Sequence, residues 1–380
     1  MNNIAIVAVG YNRPSSMERL LKSIEKIEGT KSADLIISID KGQRQQEIIE
    51  IARQFEWPYG EKIIRAFEKR QGLRNHIIQC GDLTNNYEAV VILEDDLIVS
   101  PYFLSYVEQS IAFYRKDERI AGISLYKHLF HPGVSRPFEP SNNGYDAYLM
   151  KFAQSWGQCW TREMWTKFKE WYLEHSEMDL SDGHLLPDYI ASWNEHSWLK
   201  YYMRYLAETN RYYVYPTVSL SSNCSDAGVH CSVPNNDYQV PMLLGNRTFT
   251  FPDFDHAIRY DVFLEREGIE DLVLPEIEGS KLMDLYGTRS EYADSKILVS
   301  TKQLPYRVIK ELSVTRRPIE ENIIHPIPGN GIYIYDLEQT SSVPKSNDNL
   351  LTRFDVRGVH WKRLLRLGYS GLKDAVKSRL

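Results

Sequence analysis

In the first third of the chain, short apolar runs alternate with segments of helical periodicity. A parallel sheet with helices on its faces satisfies that pattern, and an all-helical or all-strand domain does not. Residues 4–10, IAIVAVG, read as a strand ending at a glycine. Leu20, Leu21, Ile24 and Ile27 follow at helical spacing, with Ser15 three residues before Glu18 as a capping box that starts the helix. LIISID at 35–40 reads as a second strand, QRQQEIIEIARQF as a second helix, KIIRAF as a third strand, NHIIQC as the start of a third helix and AVVILEDD as a fourth strand. Ser100 and Pro101 are placed as N-cap and first residue of the next helix, and AGISLY as the strand after it. Beyond residue 130 the pattern loosens. GQCWTREMWTKFKEWYLEH and SWLKYYMRYLAETN read as helices, YYVYPTVSL as a strand, and SSNCSDAGVHCSVPNND as a polar, glycine-punctuated loop. Residues past about 265 read as less regular, with a polar linker at EQTSSVPKSNDN.

With 380 residues and 43% apolar content, the chain is globular and sized for one large domain or two ordinary ones. A net charge of −6 argues against a general nucleic-acid binder, which needs basic surface to neutralise phosphate. Cys80, Cys159, Cys224 and Cys231 form no CxxC pair, so neither a disulfide framework nor a zinc finger is indicated, and a reducing cytoplasm is expected. IAIVAV is too short for a signal h-region, and no run reaches the roughly 18 apolar residues of a membrane span. The 25 tyrosines and eight tryptophans suit either an aromatic-lined cleft that stacks on sugar rings or ordinary core filling.

In an open parallel sheet, ligands bind outside the carboxyl ends of the strands. Tyr11, Asn12 and Arg13 follow the first strand, Asp40, Lys41 and Gly42 the second, and Glu94, Asp95 and Asp96 the fourth. Adjacent like charges repel and are expensive to desolvate unless a cation or strong donors answer them. On strand alternation, Glu94 and Asp96 are expected on one face and Asp95 on the other, so that one acid meets a metal while its neighbour meets another part of the ligand. Magnesium and manganese bind through one or two carboxylates and leave positions for phosphate oxygens. An acidic surface turn, or carboxylates capping the next helix, is the competing reading of the triplet.

The series IVAVGYNRPSSMERLLKSI, IISIDKG, GLRNHI, VVILEDDLIVSPYFLSYV and YPTVSLSSNCSDAGVHC resembles, in order and spacing, the GT-A glycosyltransferases related to N-acetylglucosaminyltransferase I and their bacterial counterparts, over about residues 3–235. The resemblance implies an α/β, Rossmann-like GT-A nucleotide-sugar-binding fold with a mostly parallel central sheet, followed by a less regular C-terminal region. It implies that Asp96 coordinates Mn2+ (or Mg2+) on the nucleotide diphosphate, that Asp95 approaches the ribose and Glu94 the transferred sugar, that Arg13 holds the phosphate side, and that Asp40 contacts the base. Arg74 falls in a polar donor-site segment, and Trp156 and Gly157 in a glycine-aromatic segment beside the donor sugar. Related enzymes place a catalytic acid just before a tryptophan. Here that stretch is SWNEHSWLKYY, which departs from the pattern: Glu195 is favoured as base, with Asp188 and His196 as lesser candidates. His230 is expected in the loop over the donor, as a second metal ligand, a phosphate contact or a packed side chain; a Cys224, His230, Cys231 zinc site lacks a fourth ligand.

Residues 353–380 carry eight Lys or Arg against Asp355 and Asp374, a net +6 that leaves −12 on the rest. Two readings stand for this basic amphipathic tail: peripheral contact with an anionic membrane at its inner face, or a surface helix packed on the body. The expected organisation is a catalytic domain at 1–245 (donor half 1–130, acceptor and base half 131–245), an extension at 246–352 and the tail. The expected function is metal-dependent, inverting transfer of a sugar from a nucleotide diphosphate, expected to be a UDP-sugar, to a glycan or lipid-linked glycan in bacterial surface polysaccharide synthesis. The alternatives are an inactive carbohydrate-binding scaffold on the same fold and a nucleotidyltransferase, though GYNRPSS lacks the glycine-rich phosphate loop of the latter.

Overall fold

The computed structural model describes residues 3–29, 32–180, 185–226, 236–276, 278–292, 295–345, 348–356, 358–360, 362–366 and 368–369. The chain forms two compact units, one of residues 1–270 with 288–293, the other of residues 271–287 with 294–380.

The first unit runs β1 (Ile4–Gly10), α1 (Pro14–Ile24), β2 (Asp34–Ile39), α2 (Gln45–Gln54), β3 (Lys62–Ala66), α3 (Leu73–Gly81), β4 (Ala89–Glu94), β5 (Leu97–Val99), α4 (Phe103–Tyr114), β6 (Ile120–Ser124), β7 (Ala147–Met150), β8 (Gln158–Thr161), α5 (Arg162–His175), α6 (Asp188–Ala191), α7 (Trp198–Thr209), β9 (Tyr212–Pro216), β10 (Ser221–Asn223) and β11 (Arg259–Tyr260). Nine of these strands make one sheet in the order β11-β7-β9-β6-β8-β4-β1-β2-β3. The β1–β2, β2–β3, β1–β4, β6–β9 and β7–β11 pairs are parallel; β8 runs antiparallel to both β4 and β6, and β7 to β9. This is the mostly parallel α/β sheet expected of a GT-A-type fold. Every residue of β1 is buried, as a central strand covered on both faces requires.

Three local expectations give way to tertiary structure. The capping box at Ser15 does not form: Pro14 is the first helical residue, and Arg13 stands at the N-cap without capping. A missing cap costs about 1 kcal/mol, whereas burying Met17, Leu20, Leu21 and Ile24 contributes roughly 1.5–3 kcal/mol each, so packing sets the helix and Arg13 is left for other work. The helix expected from Pro101 begins at Phe103; the Ser100 hydroxyl accepts from the Tyr102 N–H (3.2 Å) and donates to the Leu243 carbonyl. The first residues of GQCWTREMW are strand rather than helix, because β8 fills the space between β4 and β6; α5 starts only after Thr161, whose side chain accepts from the Met164 N–H.

Most tyrosines are core. Tyr106, Tyr126, Tyr148, Tyr202, Tyr205, Tyr212, Tyr213 and Tyr215 are fully buried, and Phe168 stacks on Tyr202 between α5 and α7 at 4.0 Å. The second unit is more regular than expected: β12 (Lys281–Asp284), β13 (Ile297–Ser300), β14 (Tyr306–Ser313) and β15 (Gly331–Thr340) form a sheet in the order β12-β13-β15-β14, with α8 (Glu321–Ile324) and α9 (Asp348–Asp355). Leu298, Val299, Ile332, Tyr333, Ile334 and Tyr335 are its buried centre. No helix among the described residues is long and apolar enough to cross a membrane.

Candidate functional site

The acidic triplet closes the sheet edge in a turn. β4 ends at Glu94, Asp95 and Asp96 form the turn, and β5 leads away, held antiparallel to β10. The Cys224 N–H donates to the Asp96 carbonyl at 2.7 Å, which fixes the turn from the far side. The expected alternation of the acids therefore fails: Asp95 and Asp96 both reach Arg13, since a turn does not keep the two-residue period of a strand. One Arg13 amino group donates to Asp95 Oδ1, the other to Asp96 Oδ2 at 3.2 Å. Asp95 is only 3% exposed. Asp95 Oδ2 and Asp96 Oδ1 are buried and, among the described residues, meet no hydrogen-bond donor.

Burial pushes the Asp95 carboxyl up to about 6, against the opposing pull of the Arg13 charge and hydrogen bond. Glu94 is raised further, by burial and then by repulsion from Asp96 and Asp95. Desolvation works against the Arg13 guanidinium, yet the acids outweigh it and its pKa rises.

The neighbouring strand ends meet at the same edge. Asp40 N–H donates to the Gly10 carbonyl at 2.9 Å, tying the ends of β1 and β2 together. The buried Asp40 carboxylate accepts from the backbone N–H groups of Lys41 (2.7 Å), Gln71 (2.7 Å) and Gly72 (3.0 Å), and so holds the connection from β3 into α3. The structure gives it this backbone-clamping part directly. Asn12 Oδ1 accepts from the Arg44 N–H at 3.1 Å, and a Cβ on Gly42 would lie 2.1 Å from that oxygen, so a larger residue there would have to displace the Asn12 side chain from this bond. The Arg70 guanidinium lies 5.2 Å over the Tyr11 ring.

On the other side of β4, Ile92 pairs with Gln158, the first residue of β8, and Trp156 and Gly157 lie in the bend that leads into that strand. Gly157 has φ 94°, and a Cβ there would crowd Ser221 Oγ at 3.1 Å and Leu125 Cβ at 3.2 Å. Ser221 Oγ donates to the Trp156 carbonyl at 2.6 Å. The Trp156 ring packs on Tyr126 (4.8 Å) and Tyr238 (4.6 Å).

Arg74 is tied elsewhere. Its guanidinium donates to the Tyr172 hydroxyl (2.8 Å), the Ser176 carbonyl (2.7 Å) and the Glu195 carbonyl (3.0 Å), and lies 4.1 Å over Tyr201. It thus fastens both flanks of the α5–α7 connection to α3. The Glu195 and His196 side chains are 78% and 80% exposed and lie 3.9 Å apart. Exposed Asp188 accepts from Ser290 Oγ at 3.0 Å. Among the described residues, no hydrogen bond or ion pair joins Glu195, His196 or Asp188 to Asp95 or Asp96. His230 lies outside the described residues.

Sequence reasoning missed Asp226, which accepts from Ser16 Oγ at 2.8 Å and from both amino groups of Arg19, stitching the chain after β10 to α1. Its signal is weak in sequence because its partners are over 200 residues away.

Among the described residues, no group of three His, Cys, Asp or Glu is arranged to hold a metal ion. A hard divalent cation that takes two protein oxygens and completes its shell with phosphate and water does not need such a group. Asp95 Oδ2 and Asp96 Oδ1, buried acceptors without donors among the described residues, fit that requirement.

No family model and no curated protein matches the chain. Among solved structures it is similar to S. aureus TarS 1–349 in complex with UDP-GlcNAc (12% identity, TM-score 0.39, 60% of each chain covered). A mannosyltransferase from Pyrobaculum calidifontis in complex with GDP-Man and Mn2+ matches at 11% identity and TM-score 0.31, over 45% of this chain and 46% of that one. The apo form of mouse xyloside xylosyltransferase 1 matches at 11% identity and TM-score 0.36, over 55% of this chain and 82% of that one.

Proposed function

We propose that the chain is a metal-dependent glycosyltransferase that moves a sugar from a nucleotide diphosphate, with UDP-sugars as first candidates, to a glycan acceptor. The observation that carries this reading is the buried acidic turn at the carboxyl end of a mostly parallel sheet, with two carboxylate oxygens that no donor among the described residues satisfies. Asp96, with Asp95 beside it, would hold Mn2+ or Mg2+, which when bound supplies electrostatic stabilisation to the departing diphosphate. Arg13 adds a fixed positive charge at the same place. Asp40 keeps the loop at Gln71 and Gly72 closed where a nucleotide would lie, and the positive φ of Gly157 brings backbone close to the sugar position beside Glu94. In the chemical step, the acceptor oxygen bonds to the anomeric carbon as the carbon–phosphate-oxygen bond breaks and the diphosphate leaves with the electron pair. Glu195 accepts the acceptor's hydroxyl proton, and Arg74 positions it by holding its carbonyl.

A panel of nucleotide sugars tested with Mn2+ for thermal stabilisation and slow donor hydrolysis decides the matter. Stabilisation and turnover by one donor is expected. Stabilisation by free glycans alone would make the chain a binding module, and pyrophosphate release from a nucleoside triphosphate and a sugar phosphate would make it a nucleotidyltransferase.

A further inference from the structure

We propose that Arg13 is a built-in counter-ion that makes divalent-metal binding at Asp95 and Asp96 conditional on a diphosphate. The inference rests on the metal-dependent reading above and concerns this chain's own residues. The guanidinium bridges the two carboxylates through Asp95 Oδ1 and Asp96 Oδ2, and the opposite oxygen of each is buried with no donor among the described residues. The Asp95 side chain is 4% exposed, so its orphaned oxygen has no recourse to bulk water. Among the described residues, Arg13 is thus the one base in direct contact with the two acids that would hold a metal.

Yet a metal ion reaching those two oxygens comes within a few ångströms of a guanidinium that is already there. In a poorly solvated site that repulsion is strong. Arg19 donates its hydrogen bonds to Asp226 rather than to Asp95 or Asp96, so Arg13 alone bonds the two acids among the described residues. A diphosphate reverses the balance, since its oxygens attract the metal and Arg13 together and let both remain beside the acids. Metal and diphosphate therefore bind with positive coupling, and by linkage each raises the other's affinity by the same factor.

The test is calorimetric titration of Mn2+ into the full chain, alone and with saturating UDP or GDP, corrected for metal–nucleotide complexes formed in the buffer. For the parent, Mn2+ affinity is expected to rise on the order of 10- to 100-fold with nucleotide present. Arg13→Gln should bind Mn2+ alone about tenfold more tightly than the parent, with a coupling factor about tenfold smaller than the parent's. Arg13→Lys keeps the charge and should keep part of the coupling; with the parent, it decides the question if Arg13→Gln does not fold. Asp96→Asn should lose Mn2+ binding in both settings. Equal Mn2+ affinity with and without bound nucleotide, or an Arg13→Gln variant that folds and behaves as the parent, overturns the inference while leaving the transferase reading intact. A parent that binds neither nucleotide overturns both.

Discussion

Asp95 and Asp96 are neighbours in sequence but not in circumstance. Asp95 is sealed beneath Arg13, while the Asp96 side chain keeps 16% exposure. Asp96→Ala should therefore leave a folded protein that no longer binds nucleotide more tightly when Mn2+ is added; unchanged metal-dependent binding by calorimetry would remove Asp96 from the site. Glu195 presents the opposite case, a carboxylate out in solvent with its backbone pinned by Arg74. Glu195→Gln keeps its size but cannot take a proton, so transfer should fall about 10²- to 10⁴-fold with donor affinity unchanged. Retained turnover would pass the role to Asp188 or His196, whose Asp188→Asn and His196→Gln variants then discriminate.

Among the elements, the connection from α5 to α7 depends most on a single side chain. Arg74 reaches it from α3 with three donated hydrogen bonds that span 98 to 121 positions of sequence, and with a contact on the Tyr201 ring. Each bond from a charged group is worth about 1.5–3 kcal/mol when its partner would otherwise stay buried. Arg74→Ala is expected to speed amide hydrogen exchange across residues 176–180 and 185–197 well before it lowers global stability, and to raise the acceptor KM more than it weakens donor binding. Equal loss of donor and acceptor binding would return Arg74 to the donor site. The β3–α3 connection has the same logic with the polarity reversed, one buried carboxylate gathering three backbone N–H groups.

At the scale of the whole molecule, pH and charge offer two tests. Burial holds His76 and His131 down at about 4 and His128 at about 3, against an ordinary value near 6.5. The unfolded chain then takes up these protons first, so each histidine withdraws stability as pH falls from about 7 towards its folded value. Asp95 and Glu94, raised by burial, act in the opposite sense, because the folded state takes up their protons first. The parent's denaturation midpoint is the balance of the two. His128→Gln should give a shallower loss of stability between pH 7 and pH 5 than the parent, and an equal slope would mean that His128 takes up its proton equally in the folded and unfolded chain. Removing residues 357–380 takes away seven Lys or Arg against Asp374. If this segment serves location, the truncated protein should leave anionic liposomes, with parental binding weakening as salt rises, while nucleotide binding persists. Loss of nucleotide binding on truncation would mean that the tail supports the body instead.

The strands β1 to β4, the helices between them and the polar residues at their ends were legible in the sequence, because apolar period and chain punctuation are local properties of neighbouring residues. The placement of three acids at a sheet edge follows from the same local signal. The direction each acid faces does not. That was decided by β10 pairing with β5 across more than 120 residues, which bends Asp95 and Asp96 into one turn under Arg13. The β8 strand was misread for a related reason: only its insertion between β4 and β6 overrides the helical period of its own residues. Asp40 clamping backbone, Arg74 holding the Glu195 carbonyl and Asp226 engaging Arg19 are likewise partnerships between distant segments. A buried charge can take any donor that the fold brings within about 3 Å, and no local periodicity records which one it will be.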